Sequence, residues 1–346
     1  MAPAVNAFFG ATEVKIGDVE AALAARWRAQ ASQTADAASA RAHVLNLVAC
    51  VEEAGAETVV SQIVGQLAAT HPLRVITVIR DDAVADDALR SWIDSGCAHE
   101  KVCSEEIFIA ASPQSAECAA SAVESLLSSD MPVYLWWRGG PPTGSVLFSR
   151  LAQVAHKIIV DSMRFGDNAA ALDTLRRMVE RQGEASAIGD FNWQRIAPWR
   201  ATIGACFDDP AVLALLPAFD RCAIEFSATS TAAASPSARA LLLSSWMTSR
   251  QPSLRGCVRI VPVPGEGDGV GRLESVRFGA LRTQAALELE RIAEPLGVTG
   301  TARDADGRQM RRFSFPAETL SEAELLHRCI DVPLREPMLE VALREE

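Results

Sequence analysis

Residues 131–142 read MPVYLWWRGGPP. The run from Val133 to Trp137 has no polar alternation, the pattern of a short strand covered on both faces. Gly139, Gly140, Pro141 and Pro142 then end it in a stiff turn. Side chains alternate across a sheet, so Trp136 and Trp137 cannot both enter one helix layer while the strand continues. At least one indole is expected at the sheet's carboxyl edge, where open α/β sheets bind their ligands and partners.

Outward from this stretch, apolar runs recur at about the thirty-residue spacing of βαβ units. Upstream lie VLNLVACV (44–51), LRVITVI (73–79) and EEIFIAA (105–111), and downstream lies KIIVD (157–161). Between them the apolar residues fall at helical spacing: Val59, Val60, Ile63, Val64, Leu67 and Ala68 in one segment, Ala116, Ala119, Ala120, Val123, Leu126 and Leu127 in another. His71-Pro72 ends the first of these helices, and a shorter helix is expected over Ala85–Ile93. Asp167 or Asn168 is placed to cap a final helix carrying Leu172, Leu175 and Val179. The fold class is therefore α/β: a Rossmann-like three-layer domain, 43–183, with a mostly parallel five-stranded sheet and right-handed crossovers.

Residues 1–42 read as an N-terminal helix and linker, with Val19, Leu23 and Trp27 on one stripe and Trp27 as a packing anchor. The rhythm breaks at 184–217, where FNWQRIAPWR (191–200) sets Trp193 and Trp199 around Pro198. This reads as an interdomain connector whose indoles pack between the two domains. The remainder, 218–346, reads as a smaller α+β domain with a mostly antiparallel sheet: strands RCAIEFSA, GCVRIVPVP, RLESVRFGA, QAALELERI and RQMRRFSFP, several alternating polar and apolar. A helix near 238–250, another from about Ser321 and a charged tail from Leu334 complete it.

The formal net charge is −11, from 33 basic and 44 acidic side chains. That balance argues against broad electrostatic binding to nucleic acid or to an anionic membrane. The opening MAPAVNAFFGATEVK lacks a basic leader region, and no run approaches a membrane span, so the protein is expected in the cytoplasm. The eight cysteines form no CxxC pair and read as reduced, mostly buried thiols, with Cys97 and Cys103 the most exposed.

No residues converge on catalysis. The five histidines, His43, His71, His99, His156 and His327, show no metal-ligand spacing, and no metal or cofactor is expected. Gly265, Gly267, Gly269 and Gly271 lie between two strands, where no helix N-terminus follows to hold a phosphate, and read as a flexible hairpin connection. The first βα turn, Glu52–Ala56, offers one glycine and two carboxylates that would repel a pyrophosphate. A GxSxG nucleophile elbow is absent. Trp136, Trp137 and Arg138, held by Gly139, Pro141 and Pro142, are residue types enriched at binding hot spots. Asp161, Ser162, Arg164 and Phe165 leave the next strand at the same edge and complete the candidate partner- or effector-binding set.

Five blocks in order resemble the glucose-6-phosphate dehydrogenase assembly (OpcA) family: RAHVLNLVACVE (41–52), DMPVYLWWRGGPP (130–142), HKIIVDSMRF (156–165), FNWQRIAPWR (191–200) and ARALLLSSWMTSR (238–250). The resemblance implies a non-catalytic partner of glucose-6-phosphate dehydrogenase, promoting its active oligomer or activating it allosterically at the entry to the oxidative pentose phosphate pathway. It assigns no role to Trp136, Trp137 or Arg138. The residues alone leave a second reading, an enzyme or sensor that holds a sugar phosphate at the carboxyl edge through Arg138, Arg164 and the helix start after Gly144.

Overall fold

The computed structural model describes residues 11–33, 44–53, 55–67, 71–85, 88–98, 102–232, 234–294, 296–316, 319–332 and 334–345. In chain order the elements are β1 (Thr12–Val14), α1 (Val19–Gln33), β2 (Leu45–Val51), α2 (Ala56–Leu67), β3 (Leu73–Arg80), β4 (Leu89–Ala98), β5 (Val102–Ala111), α3 (Ala116–Leu126), β6 (Val133–Arg138), α4 (Val146–Val154) and β7 (Lys157–Val160). Then follow α5 (Ala169–Gln182), β8 (Ala187–Asp190), α6 (Phe191–Arg195), α7 (Ala197–Phe207), α8 (Pro210–Leu213), β9 (Arg221–Ala228), α9 (Ala238–Arg250) and β10 (Val258–Pro264). Four further strands, β11 (Leu273–Gly279), β12 (Ala286–Ile292), β13 (Gly297–Arg303) and β14 (Gln309–Pro316), precede α10 (Glu322–Asp331) and α11 (Pro337–Arg344).

These elements form two compact units, each drawing on distant parts of the chain. The first comprises 1–161, 182–189 and 322–335, and the second 162–181, 190–321 and 336–346. The consecutive blocks 43–183 and 218–346 expected from the sequence supply most of each unit. However, α5 belongs with the second and α10 with the first.

The first unit is built on an eight-stranded sheet ordered β1-β4-β5-β3-β2-β6-β7-β8. The five expected strands, β2, β3, β5, β6 and β7, are parallel to one another. From β5 to β8 the order is that of a doubly wound dinucleotide-type sheet, with β2 in the middle. Every residue of β2 and β6 is buried, as the unbroken apolar runs require.

Three strands were not legible. The helix expected over Ala85–Ile93 is instead the start of β4, antiparallel to β5 with Trp92 opposite Phe108 and Ile93 opposite Ile107. Aromatic and β-branched cross-strand pairs stabilise a ladder, and this one covers an edge that β5 would otherwise expose. β1 pairs with β4 in turn, and Arg90 on β4 reaches both Glu13 and the Trp92 ring. The short β8 completes the other side.

A buried ionic network anchors α1. Arg74, 4% exposed, bonds Glu105 at 2.9 Å, Glu20 at 2.5 Å and the Leu126 carbonyl at 2.7 Å, while the Trp27 indole N–H donates to Glu105 at 2.5 Å. A buried guanidinium is tolerable only when its donors are satisfied in this way. Trp27 is thus a packing anchor with a polar handle, as its helical stripe suggested.

The second unit carries a six-stranded sheet, β10-β9-β11-β12-β13-β14. It is mostly antiparallel, with β9 and β10 parallel across α9. One face is apolar, with Ile224, Phe226, Val276, Phe278, Leu287 and Leu289 buried. The other carries Glu225, Arg277 and Glu290, linked by contacts of 2.5 and 3.1 Å.

β13 was missed because its Gly and Thr content hides the alternation. The glycine-rich connection is no hairpin, because β10 and β11 flank β9 on opposite sides and the chain must cross the end of β9. A Cβ at Gly265 would lie 2.4 Å from Ser227 Cβ, and Gly271 adopts φ +78° while its N–H bonds the Ser227 carbonyl at 2.7 Å. The glycines serve this close crossing. The expected charged tail is largely helical, since α11 buries Leu339, Ala342 and Leu343.

Among the described residues no single helix is long and apolar enough to cross a membrane. Cys50, Cys206, Cys222 and Cys329 are buried and Cys118 is exposed. Burial pushes the Cys206 and Cys222 thiols up to about 12. The backbones of Cys97 and Cys103 face each other across β4 and β5, and their side chains lie outside the described residues.

Burial pushes the Glu106 carboxyl from 4.5 up to about 7, with Asp94 adding to the rise and the hydrogen bond from Ser61 Oγ, 2.6 Å long, opposing it. The folded state then holds this proton more tightly than the unfolded chain. Its contribution to stability is full below about 4.5 and is lost as pH rises through about 7. Glu106→Gln should therefore gain on the wild type between pH 5 and 8, by on the order of 1–3 kcal/mol. Denaturant midpoints at the two pH values measure this, and equal differences at both would refute it.

Candidate functional site

At the carboxyl edge of the first sheet, where neighbours of β2 diverge to either side, a cavity of about 340 Å³ opens. Its walls come from the ends of β2, β3, β5 and β6, the turn after β6 and the first residues of α4. This is the topological switch point, where opposite crossovers leave a crevice. The polar groups arrive one per strand end: Glu52 after β2, Arg80 at the end of β3, Ser112 after β5, and Thr143 and Ser145 after β6.

The central stretch divides between core and cavity. Trp136, 1% exposed, packs wholly inside. Trp137, 3% exposed, lines the cavity, donates its indole N–H to the Gly140 carbonyl at 2.9 Å and meets Phe148 edge-on at 5.2 Å. These two indoles on opposite faces are what strand alternation requires.

Arg138, 7% exposed, makes a bidentate pair with Glu322 on α10, at 2.8 and 3.1 Å, and lies 3.7 Å from Glu53. Gly139 is pressed against Glu52, whose Oε2 would lie 2.4 Å from an added Cβ and accepts the Gly140 N–H at 3.1 Å. Pro141 lines the cavity, and Pro142 is buried beneath the turn. Ser145 caps α4 by accepting the Phe148 N–H at 3.1 Å.

A dinucleotide does not fit this arrangement, although the strand order would suit one. Glu52 and Glu53 follow β2, and Glu57, 4% exposed, buries a carboxylate oxygen without a hydrogen-bond partner in the first turn of α2. Three carboxylates thus crowd the helix N-terminus that would have to hold a pyrophosphate. Nor does the lining pair a nucleophile with a base. Burial, reinforced by Glu52, pushes the Cys50 thiol far above its ordinary range, and among the described residues no histidine lines the cavity. The cavity has the attributes of a binding pocket.

The other sequence-selected residues lie elsewhere. Asp161, 5% exposed, directly follows β7 in the first unit. In the second unit Ser162 bonds Asp190 through its N–H at 2.8 Å and its hydroxyl at 3.0 Å, and accepts from Asn192 at 3.0 Å. Asp190 also caps α6. Phe165 is buried and Arg164 half-buried. The stretch expected as a connector lies within the second unit, where Trp193 is 1% exposed with the Arg200 guanidinium 3.5 Å from its ring centroid, Pro198 lies in the first turn of α7 and Trp199 is 7% exposed. Burial lowers the Arg200 pKa to about 10, with Glu336 opposing the fall.

Sequence reasoning missed Glu52, Arg80, Ser112 and Thr143 as cavity residues and Glu322 as the partner of Arg138. The residue following each parallel strand would have found the first three, whereas nothing local marks Glu322.

Residues 64–177 match the glucose-6-phosphate dehydrogenase subunit N-terminal domain family, and residues 186–343 match the corresponding C-terminal domain family. A protein named OpcA from Nostoc punctiforme is 25% identical over 256 residues, 65% of this chain and 53% of that protein. One from Synechocystis is 28% identical over 247 residues, 69% of this chain and 48% of that protein. The chain thus spans about half the length of these curated relatives. Among solved structures, a biliverdin reductase from Synechocystis aligns over 87% of this chain and 96% of its own, at 8% identity and a TM-score of 0.40, too distant to carry an argument.

Replacing Arg138 by Met should cost about 1–3 kcal/mol, because Glu322, 25% exposed at its side chain, loses its partner yet keeps some water. Amide exchange should quicken in α10 before it does in β2. In the cycle with Glu322→Met, the double variant should lose less than the sum of the singles. Additive losses would show that the pair is not coupled.

Proposed function

Because the chain belongs to the OpcA family of glucose-6-phosphate dehydrogenase assembly proteins, we propose that it is a non-catalytic partner of glucose-6-phosphate dehydrogenase in the oxidative pentose phosphate pathway. The observation that carries this reading is that both halves of the chain match domains named for a subunit of that dehydrogenase. On this reading the chain works in the cytoplasm.

The physical mechanism is linkage. A partner that binds the active oligomer ten times more tightly than the inactive form shifts their balance by about 1.4 kcal/mol, and does so without chemistry of its own. The contact or effector surface we assign is the carboxyl edge of the first unit. Trp137 and Pro141 line its cavity, Thr143 and Val146 are exposed at its rim, and Trp136, Arg138, Gly139 and Pro142 hold them from beneath.

A second reading rests on Arg80, Thr143 and the N-terminus of α4, which face the cavity together and could take a sugar phosphate. Glu52 opposes it on the same wall. The two readings are compatible if such a metabolite modulates the contact.

Activity and mass of the dehydrogenase from the same organism, measured with and without this protein, test the proposal. The expected result is higher activity together with a heavier species that co-elutes with this chain. Unchanged activity and mass would refute it. Val146, 46% exposed, can be replaced by Arg at a fold cost within about 0.5 kcal/mol. If the rim is the contact, Val146→Arg should weaken association by at least about tenfold, the scale of an interface hot spot. Full binding by a folded variant would move the contact elsewhere, and calorimetry with a sugar phosphate tests the second reading.

A further inference from the structure

The histidines are scattered in sequence, and their spacing excluded a metal motif. The fold brings two of them together within the first unit. His71 lies between α2 and β3, while His327 and Asp331 sit one turn apart on α10. His71 Nε2 is 3.0 Å from Asp331 Oδ1, and His327 Nδ1 is 3.0 Å from Asp331 Oδ2. The imidazole centroids are 5.1 Å apart, and one donor atom from each of the three residues lies within 4.8 Å of the other two.

Two imidazole nitrogens and a carboxylate are a donor set for zinc and its first-row neighbours. Bonds of about 2.0–2.1 Å in a tetrahedron place neighbouring ligand atoms roughly 3.3 Å apart. Whichever Asp331 oxygen serves as the ligand, one edge of this triangle is already near that length, at 3.0 Å to His71 through Oδ1 or to His327 through Oδ2.

A histidine–carboxylate ion pair would give similar distances, but it needs an N–H aimed at the oxygen. His71 Nε2 is fully buried and has no hydrogen-bond partner, because its contact with Asp331 lacks the required alignment. A buried ring nitrogen that has lost water without gaining a hydrogen bond is costly. Coordination to a cation would satisfy its lone pair.

We propose that His71, His327 and Asp331 bind one divalent transition-metal ion, zinc foremost, as a clamp between α10 and the α2–β3 junction. The side chains of His327 and Asp331 are 38% and 45% exposed, which leaves the fourth position to water. α10 arrives from the far end of the chain and is already tied at its first residue by Arg138. The ion would fix its last turn.

The test uses tag-free full-length protein, stripped with a chelator that is then removed. Zn²⁺ is titrated by calorimetry and Co²⁺ by its visible absorption. The expected result is one ion per chain, a cobalt spectrum of low-coordinate nitrogen and oxygen ligation, and a higher thermal midpoint with Zn²⁺. Loss of an outer-sphere partner alone typically costs about 10–100-fold in metal affinity. His71→Asn and His327→Asn should therefore each weaken binding by more than about tenfold and abolish the thermal gain. Absence of saturable uptake by the wild-type chain would overturn the proposal. So would uptake that the double variant, folded by circular dichroism, retains unchanged.

Discussion

A strand that is buried on both faces and ends in an arginine sets the terms for the first unit. β6 can be apolar until Trp137, but Arg138 carries a charge into a site 7% exposed, where an unpaired guanidinium would be expensive. The partner is Glu322, on a helix near the other end of the chain. That helix, α10, belongs to the α/β unit although it follows the entire second sheet in the chain. The ion pair rewards a long return of the chain, and α10 packs on α2 and buries an apolar stripe that includes Ala323, Leu326 and Ile330. The same logic holds at Arg74, where Glu20 of α1 and Glu105 of β5 meet one buried guanidinium.

The candidate site follows from topology more than from any motif. Parallel strands on either side of β2 send their crossovers to opposite faces, so the carboxyl edge between β2 and β6 is left uncovered. In a dinucleotide enzyme glycines and a helix N-terminus line that crevice. Here Glu52, Glu53 and Glu57 occupy the first turn, and Glu52 holds the Gly139–Gly140 backbone instead of admitting a phosphate. The strand order is that of a dinucleotide-type sheet while its first turn carries carboxylates, which is why fold alone says little about function.

The second unit shows a different economy. Its sheet is apolar on one face and ion-paired on the other, and its turns are fixed by buried polar groups. Asp190 accepts hydrogen bonds from Ser162 and from the Trp193 N–H, and the Ser162 hydroxyl it holds accepts from Asn192. The glycine-rich loop crosses the end of β9 where any side chain at Gly265 would collide with Ser227.

Local pattern determined the five parallel strands, their helices, the antiparallel second sheet and the switch to α+β, because an element's burial imprints its period on its own residues. The same pattern showed that the Trp136–Trp137 pair must split between faces. It failed at β4, whose strand state depends on a partner ladder, and at β13, whose small residues carry no alternation. Only the tertiary structure could decide that Arg138 meets Glu322, that His71 meets His327 and Asp331, and that Glu52, Arg80 and Thr143 share one cavity. Each of these contacts joins side chains that are distant along the chain. Their energies depend on distance and burial in the folded state, and neither quantity is written in sequence spacing.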